Sequence, residues 1–179
     1  IQKMGELSNE MEAIEGKLSE IGNQLMGFEG SNSRFYFQAL SELIPDKYKF
    51  NGRSSRPAKD AFNAFLNYGY GILYGKVEKA LIISGLDPFI GLLHTDNYNK
   101  KSLVFDFIEP YRILIDKPVF YLFSRQKVKP EHVDAIKDGV KLNTEGKKLL
   151  IAHLMEDFDE VIRYGNRNIK RIDQILSDA

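Results

Sequence analysis

Two carboxylates, Asp106 and Glu109, stand three residues apart in an apolar stretch of the sequence. Residues i and i+3 share one face of a helix, so these side chains are expected to be neighbours. One histidine, His94, precedes them, separated by a polar segment. Carboxylates are rare in apolar surroundings unless they are paired or bind a cation. An imidazole with two carboxylates is a hard ligand set, which favours Mg²⁺ or Mn²⁺ over zinc held by thiolates.

The same spacing is equally typical of a structural role. Asp106 and Glu109 could cap a core helix or form salt bridges on it, and His94 could be an ordinary loop histidine. The spacing alone leaves both interpretations open.

A longer pattern surrounds these residues. It reads G-L-D-P, then G-x-L-H, then a polar gap, then S-L-x-x-D-x-x-E-P-x-R, over residues 85–112. Residues 63–70 add the segment N-A-x-L-N-Y-G-Y. With these residues at these spacings, the chain resembles the CRISPR-associated integrase family, a metal-dependent nuclease that inserts new spacers into a repeat array. The resemblance is clearest over residues 26–125.

The resemblance implies a ligand set and a reaction. The family has a glutamate in an E-G motif ahead of its histidine, and Glu29 matches it here. Glu29, His94 and Asp106 are then the expected metal ligands and catalytic residues for Mg²⁺ or Mn²⁺. Glu109 is expected either as a further ligand or beside the ligands, and Glu78 is a rival to Glu29. The implied reaction joins DNA by transesterification, or cleaves a strand when water is the nucleophile.

Basic residues that could bind phosphates are unevenly distributed, although 25 basic and 25 acidic residues balance to a net charge of zero. Residues 47–59 contain several basic residues and no acidic one. Arginine suits phosphate because its guanidinium can donate two parallel hydrogen bonds. Each candidate could equally be a solvated or carboxylate-paired residue. The expected DNA contacts are Arg34, Arg53, Arg56, Lys59 and Arg112.

The apolar pattern indicates helices nearly throughout, and therefore an all-α fold with one domain over residues 1–179. Gly27 is expected to end the first helix, Gly85 to cap the central one, and Pro110 to kink or restart a later one. Residues 139–142 could form a short strand or none. The expected helices cover residues 3–26, 29–43, 58–84, 102–126 and 144–163, with a short one near 169–176.

The resemblance also implies partners. These are DNA, as prespacer and repeat, a second copy of the chain in a homodimer, and the second, small CRISPR adaptation protein. The family carries an N-terminal β-rich domain, and nothing in this sequence has that pattern, so a helical catalytic fragment is expected.

Composition excludes some classes of protein. The sequence has no apolar run of the length that spans a membrane. It has no cysteine, and therefore no disulfide and no thiolate metal site. A cytoplasmic location is expected. Two other functions fit the pattern: a helical DNA- or protein-binding module that has lost its chemistry, and a different metal-dependent phosphohydrolase.

Overall fold

The computed structural model describes residues 5–6, 9–11, 13–16, 18–91 and 100–179. It divides into two compact units, Ile1–Arg53 and Ser54–Ala179. None of the helices in these described ranges is long and apolar enough to cross a membrane. The first unit contains α1 (Leu18–Leu43) and a 3-10 turn at Asp46–Tyr48. The second contains α2 (Ala61–Ile83), α3 (Ser102–Ile108), α4 (Ile113–Ser124), β1 (Val133–Ile136), β2 (Gly139–Leu142), α5 (Thr144–Asp159), β3 (Val161–Tyr164), β4 (Arg167–Lys170) and α6 (Gln174–Asp178).

Helix α2 is the centre of the second unit, as its apolar pattern predicted. Phe65, Leu73 and Val77 are completely buried. Phe62 and Phe65 both meet the ring of Phe123 on α4 edge-on, with ring centroids 5.1 and 5.3 Å apart. Such edge-to-face pairs add to the free energy of apolar burial. The central helix therefore forms the surface on which α3 and α4 are positioned.

The N-terminus of α2 differs from the prediction, which began this helix at residue 58. The helix begins after Asp60, whose carboxylate accepts a hydrogen bond from the backbone N–H of Asn63 at 2.8 Å. Ala58 lies outside the helix because its carbonyl accepts the N–H of Val140 on β2, at 2.8 Å. The chain before α2 is thus held against a strand.

Gly85 caps the C-terminus of α2, as predicted. Its φ is +80°, a conformation that glycine adopts without a steric penalty. The N–H of Leu86 reaches back to the carbonyl of Leu81 at 2.9 Å, which is the bond expected of this type of helix end.

Of the three glycines inside α2, one marks a close approach by another helix. A Cβ at Gly69 would lie 2.5 Å from the Cγ2 atom of Ile115 on α4. A Cβ at Gly71 or Gly75 would meet nothing within 4 Å. Only Gly69 is therefore explained by packing among the described residues.

Two short antiparallel hairpins correct the all-α prediction: the described chain is mainly helical, but not entirely so. β1 and β2 flank a turn at residues 137–138, where Asp138 has a φ of +63°. β3 and β4 flank a turn at residues 165–166, where Gly165 has a φ of +56°. Two-residue turns with positive φ match the twist of paired strands. The predicted helix to residue 163 consequently ends at Asp159, and the sequence Gly165-Asn166 makes a hairpin turn.

The predicted break at Gly27 is wrong, because α1 continues through it. A glycine inside a helix costs only about 1 kcal/mol relative to alanine, which a long helix tolerates. The break comes earlier, where residues 13–16 are not helical and Gly16 has a φ of +149°. A backbone in that conformation cannot continue a right-handed helix.

The prediction that Pro110 restarts a helix is confirmed. Glu109–Tyr111 form a 3-10 turn, and α4 follows it. Ser102 begins α3, and no side chain caps this helix. The Ser102 hydroxyl is buried and has no hydrogen-bond partner within the described part of the chain.

Candidate active site

Asp106 and Glu109 lie on one continuous stretch of helical backbone. Asp106 is on α3, and the right-handed helical angles continue through Ile108 and Glu109 into the following turn. The i, i+3 relationship predicted from the sequence therefore holds, and both carboxylates are half-buried. Val104 and Ile108 on the same helix are buried in the core, which fixes the direction in which this helix presents its polar residues.

Glu109 is held by an arginine. Its Oε1 atom lies 2.6 Å from Nη2 of Arg112. The guanidinium of Arg112 lies 5.7 Å from the ring centroid of Tyr70 on α2, within the range of a cation–π contact. The hydroxyl of Tyr70 in turn donates a short hydrogen bond to the buried carboxylate of Asp116. These contacts hold the Arg112 side chain in place. A carboxylate-paired Arg112 is one of the alternatives that the sequence left open.

Glu78, the rival metal ligand, is also paired. Its Oε1 atom accepts a hydrogen bond from Nζ of Lys101 at 2.6 Å, and this bond raises the pKa of Lys101. One helical turn earlier, Tyr74 packs on Phe105 with ring centroids 5.3 Å apart. Burial raises the pKa of the Tyr74 hydroxyl, so this tyrosine is neutral at physiological pH. These contacts join α2 to the segment that carries Asp106.

The other two predicted metal ligands are Glu29 and His94. Glu29 and Arg34 are exposed on α1 in the first unit. His94 lies outside the described residues. Within the described ranges, no three His, Asp or Glu side chains are close enough to share a metal ion. The set Glu29, His94 and Asp106 therefore stays a prediction.

The basic loop, residues 47–59, precedes α2. Two asparagines of the N-A-x-L-N segment hold the part of it next to the helix. Asn63, fully buried, accepts the N–H of Ser54 on its side-chain oxygen at 2.9 Å. Asn67 donates to the carbonyl of Ser55 at 2.9 Å. Neither asparagine had a predicted role. Two asparagines four residues apart on a buried helix were the sequence signal for this role, because a buried amide needs hydrogen-bond partners.

The cations of this loop have different surroundings. Arg53, in the first unit, lies 5.9 Å from the ring centroid of Phe37. Lys59, in the second, donates from Nζ to the carbonyl of Asp138 at 2.8 Å, which ties the loop to the β1–β2 turn. Arg56 is exposed at the edge of a cleft. Arg56 is thus the loop cation best placed to contact a ligand.

Comparison with known proteins identifies the family. Residues 1–156 of the chain match the family described as CRISPR associated protein Cas1. The chain belongs to the Cas1 family. The resemblance inferred from residues 85–112 and 63–70 is thereby confirmed.

One curated relative and two solved structures are similar to this chain over nearly all of its length. The CRISPR-associated endonuclease Cas1 1 of Archaeoglobus fulgidus is 37% identical over 179 aligned positions, covering 96% of this chain and 52% of that protein. A Cas1 protein from Thermotoga maritima has a TM-score of 0.86 at 25% identity, covering 98% of this chain and 54% of that one. A casposase bound to integration product has a TM-score of 0.82 at 24% identity, over 96% and 52% of the two chains, and shares the fold. The chain spans about half the length of the curated relative.

Arg56 gives a direct test of phosphate contact by this Cas1-family chain. We expect Arg56→Ala to weaken binding about equally for all DNA sequences, because a phosphate contact carries no sequence information. The slope of log affinity against log salt should flatten by roughly one unit. Fluorescence anisotropy with two unrelated duplexes over a salt series measures both quantities.

The matched control is Arg125→Ala, which removes an exposed arginine at the C-terminus of α4. It should change neither affinity nor slope. Loss of affinity for one sequence alone, with an unchanged slope, would show that Arg56 contacts bases. Unchanged affinity for both duplexes would show that Arg56 is a solvated residue.

Proposed function

We propose that the chain is the catalytic region of a divalent-metal-dependent DNA endonuclease and integrase, which joins spacer DNA into a CRISPR array in antiviral defence. The observation that carries this proposal is the 37% identity to a Cas1 endonuclease over 96% of the chain. The half-buried carboxylates on α3 and the turn after it supply the chemical groups that such a reaction needs.

We propose Glu29, His94 and Asp106 as the residues that hold Mg²⁺ or Mn²⁺. Oxygen and imidazole donors without thiolates fit these ions, and the chain has no cysteine. The half-burial of Asp106 among the apolar residues 103–108 supports the assignment, since a carboxylate there is stabilised by a cation. When bound, the ion would polarise a phosphodiester and stabilise charge on the leaving oxygen.

Glu109 has a different task in this proposal. Its carboxylate is neutralised by Arg112 at 2.6 Å, so we assign it to orienting that arginine. The arginine, placed between Glu109 and the Tyr70 ring, has further N–H groups with which to bind a phosphate oxygen. Arg34, Arg53, Arg56 and Lys59 are proposed as further phosphate contacts.

The reaction class follows from these groups. The 3′-hydroxyl of one DNA strand attacks a phosphorus atom of another, one phosphorus–oxygen bond forms as another breaks, and a strand end with a free hydroxyl leaves. With water as the attacking group, the same displacement is strand cleavage. Neither route needs a covalent bond to the protein, so the absence of a cysteine nucleophile is no obstacle.

The proposed partners are those that the resemblance implies. We propose that the protein acts on prespacer and repeat DNA, as a homodimer, together with the second, small CRISPR adaptation protein. One neighbour in fold, the casposase, was solved bound to its integration product, which agrees with a DNA partner for this architecture.

Metal binding provides the test of this proposal. We expect Mn²⁺ to raise the melting temperature, because a ligand of the folded state stabilises it. At a Mn²⁺ concentration 100-fold above its Kd the gain is about 2.7 kcal/mol. For a chain of this size that corresponds to a shift of roughly 5–10 °C. Differential scanning fluorimetry measures the shift.

Two variants sharpen the test. Asp106→Asn should remove most of the shift, whereas Glu156→Gln, whose side chain is 79% exposed on α5, should keep it. A shift that survives Asp106→Asn would rule out Asp106 as a ligand. Hydrolysis of a small phosphoester without any action on DNA would instead favour a different metal-dependent phosphohydrolase.

A further inference from the structure

Asp116 is the one charged side chain that is buried in the described part of the chain. It lies in the first turn of α4 with 5% of its surface exposed, and no step of the proposed reaction uses it. A buried carboxylate costs free energy unless hydrogen bonds or a neighbouring cation compensate it. The groups around Asp116 therefore bear on why this position is acidic.

The Oδ1 atom of Asp116 accepts a hydrogen bond from the hydroxyl of Tyr70 on α2. The two helices approach closely beside this bond, since a Cβ at Gly69 would lie 2.5 Å from Cγ2 of Ile115. Tyr70 and Asp116 are the next residues on each helix. The packing of their neighbours thus brings the hydroxyl and the carboxylate together.

Arg112 and Asp116 contact the same tyrosine. The N–H of Asp116 donates to the carbonyl of Arg112 at 3.0 Å, so the two residues are one helical turn apart and on the same side of the helix. The guanidinium of Arg112 lies 5.7 Å from the centroid of the Tyr70 ring, while Asp116 accepts from the hydroxyl of that ring. Asp116 therefore holds the tyrosine against which Arg112 packs.

The carboxylate of Asp116 acts on the arginine through the Tyr70 ring in two ways. The hydrogen bond fixes the orientation of the ring, and with it the position of the face that attracts a cation. A carboxylate acceptor also draws the phenol proton toward itself and leaves the ring richer in electrons, because hydrogen-bonded groups polarise one another in a low-dielectric interior. Both effects strengthen the attraction between the ring and the guanidinium.

The side chain of Arg112 is held in place but still accessible. Its Nη2 atom lies 2.6 Å from Oε1 of Glu109, and 38% of the side chain is exposed. A guanidinium with these two neighbours keeps further N–H groups with which to bind a phosphate oxygen. An arginine fixed in advance needs no reorganisation when negative charge develops on that phosphate.

We propose that Asp116 is a positioning residue for DNA joining, which acts on the reacting phosphate through Tyr70 and Arg112. The carboxylate holds the tyrosine ring, the ring holds the guanidinium, and the guanidinium stabilises the charge that develops on the phosphate. The inference rests on the proposed role of Arg112 as a phosphate contact. It adds that Asp116 and Tyr70 affect the rate of joining only while Arg112 is present.

The kinetics of joining at saturating Mn²⁺ and varied DNA concentration test this role. Asp116→Asn retains the size of the side chain and removes its charge. We expect kcat to fall about tenfold with KM unchanged, because the arginine is needed most in the transition state. Tyr70→Phe removes the hydroxyl, keeps the ring and should cause a similar loss. The two changes together should cost no more than the larger of them.

The same substitution in an Arg112→Gln protein separates positioning from a general effect on folding. Without the guanidinium, Asp116→Asn should lower the remaining rate no further. A loss by the same factor with and without Arg112 would overturn the inference, because Asp116 would then support the fold alone. An Arg112→Gln protein as active as the wild type would refute the proposed role of Arg112. A wild-type protein that joins no DNA would refute the proposed function, and the role of Asp116 with it.

An NMR measurement follows the arginine without any reaction. The ring current of Tyr70 shifts the Nε–H proton of Arg112 upfield, and this signal is identified as the one that Arg112→Gln lacks. Asp116→Asn and Tyr70→Phe should both move the signal toward the position of a solvated arginine. A signal unchanged in both variants, or a wild-type joining rate in both, would overturn the inference.

The matched control is Asp157→Asn, which also removes a largely buried negative charge that is paired with α4. The Asp157 side chain is 14% exposed, and its Oδ1 atom lies 3.5 Å from Nζ of Lys117. This variant should lower the melting temperature and leave both kcat and the Arg112 signal unchanged. Equal effects of Asp157→Asn and Asp116→Asn on kcat and on the signal would attribute both to lost stability and overturn the inference.

Discussion

His94→Ala is expected to abolish metal-dependent cleavage and joining of DNA by the full-length protein. In the proposed site this imidazole is one of three metal ligands. Losing even a residue that supports a ligand typically costs about 10–100-fold in affinity or activity. The loss of a ligand should therefore reduce the rate by at least about 100-fold. A gel assay of strand cleavage and joining with Mn²⁺ measures it.

His153→Ala is the matched control. This histidine lies on α5, with Nδ1 3.6 Å from the exposed carboxylate of Glu156, and no step of the proposed reaction uses it. Its variant should be as active as the wild type. Circular dichroism should show unchanged helical content in both variants. A His94→Ala protein that works at a near wild-type rate would refute the role of this histidine.

Gly146→Ala is expected to destabilise the fold severely. A Cβ at this position would lie 2.2 Å from the carbonyl oxygen of His132 and 2.6 Å from Cδ2 of Leu142. A backbone oxygen cannot rotate away as a side-chain tip can, so the start of α5 must move. Overpacking of this kind costs about 3 kcal/mol. Thermal unfolding should show a melting temperature lower by roughly 6–12 °C.

Gly71→Ala is the matched control, because the same substitution at this position is expected to stabilise the fold. The added methyl group would meet nothing within 4 Å in the middle of α2. Alanine should stabilise the helix by about 0.5–1 kcal/mol relative to glycine. If both variants were destabilised equally, crowding at His132 would not be the cause.

The two predictions depend on different kinds of observation. The role of His94 comes from a motif, in which residue types and spacings suffice, and the family match over residues 1–156 supports that motif. The role of Gly146 could not come from any motif, because its neighbour His132 is brought close only by the hairpin between them. A motif consists of residues at fixed spacings and can be recognised in the sequence. The contact between Gly146 and His132 depends instead on how two segments pack.

The basic loop shows that cations grouped in the sequence have different surroundings in the structure. The sequence grouped Arg53, Arg56 and Lys59 by proximity along the chain. The structure separates Lys59, which donates to the carbonyl of Asp138, from Arg56, which lines the cleft. Lys141 and Lys147 join Arg56 there, although they are more than 80 positions away in the chain.

What the sequence by itself determined was the family, the central helix and a set of candidate residues for the proposed chemistry. The apolar repeat of α2 and the cap at Gly85 depend on local geometry, so they could be read directly from the chain. The i, i+3 placement of Asp106 and Glu109 also follows from local helical geometry.

Tertiary structure decided the rest. The hairpins exist because strands pair across turns that look like helix breaks in the sequence, as at Gly165. The contact of the Arg112 guanidinium with the Tyr70 ring depends on α2 packing against the turn after α3, and the cleft depends on β2 meeting Ala58. These contacts join residues distant in the chain, and their free energy comes from the fit of whole surfaces, which no local pattern records.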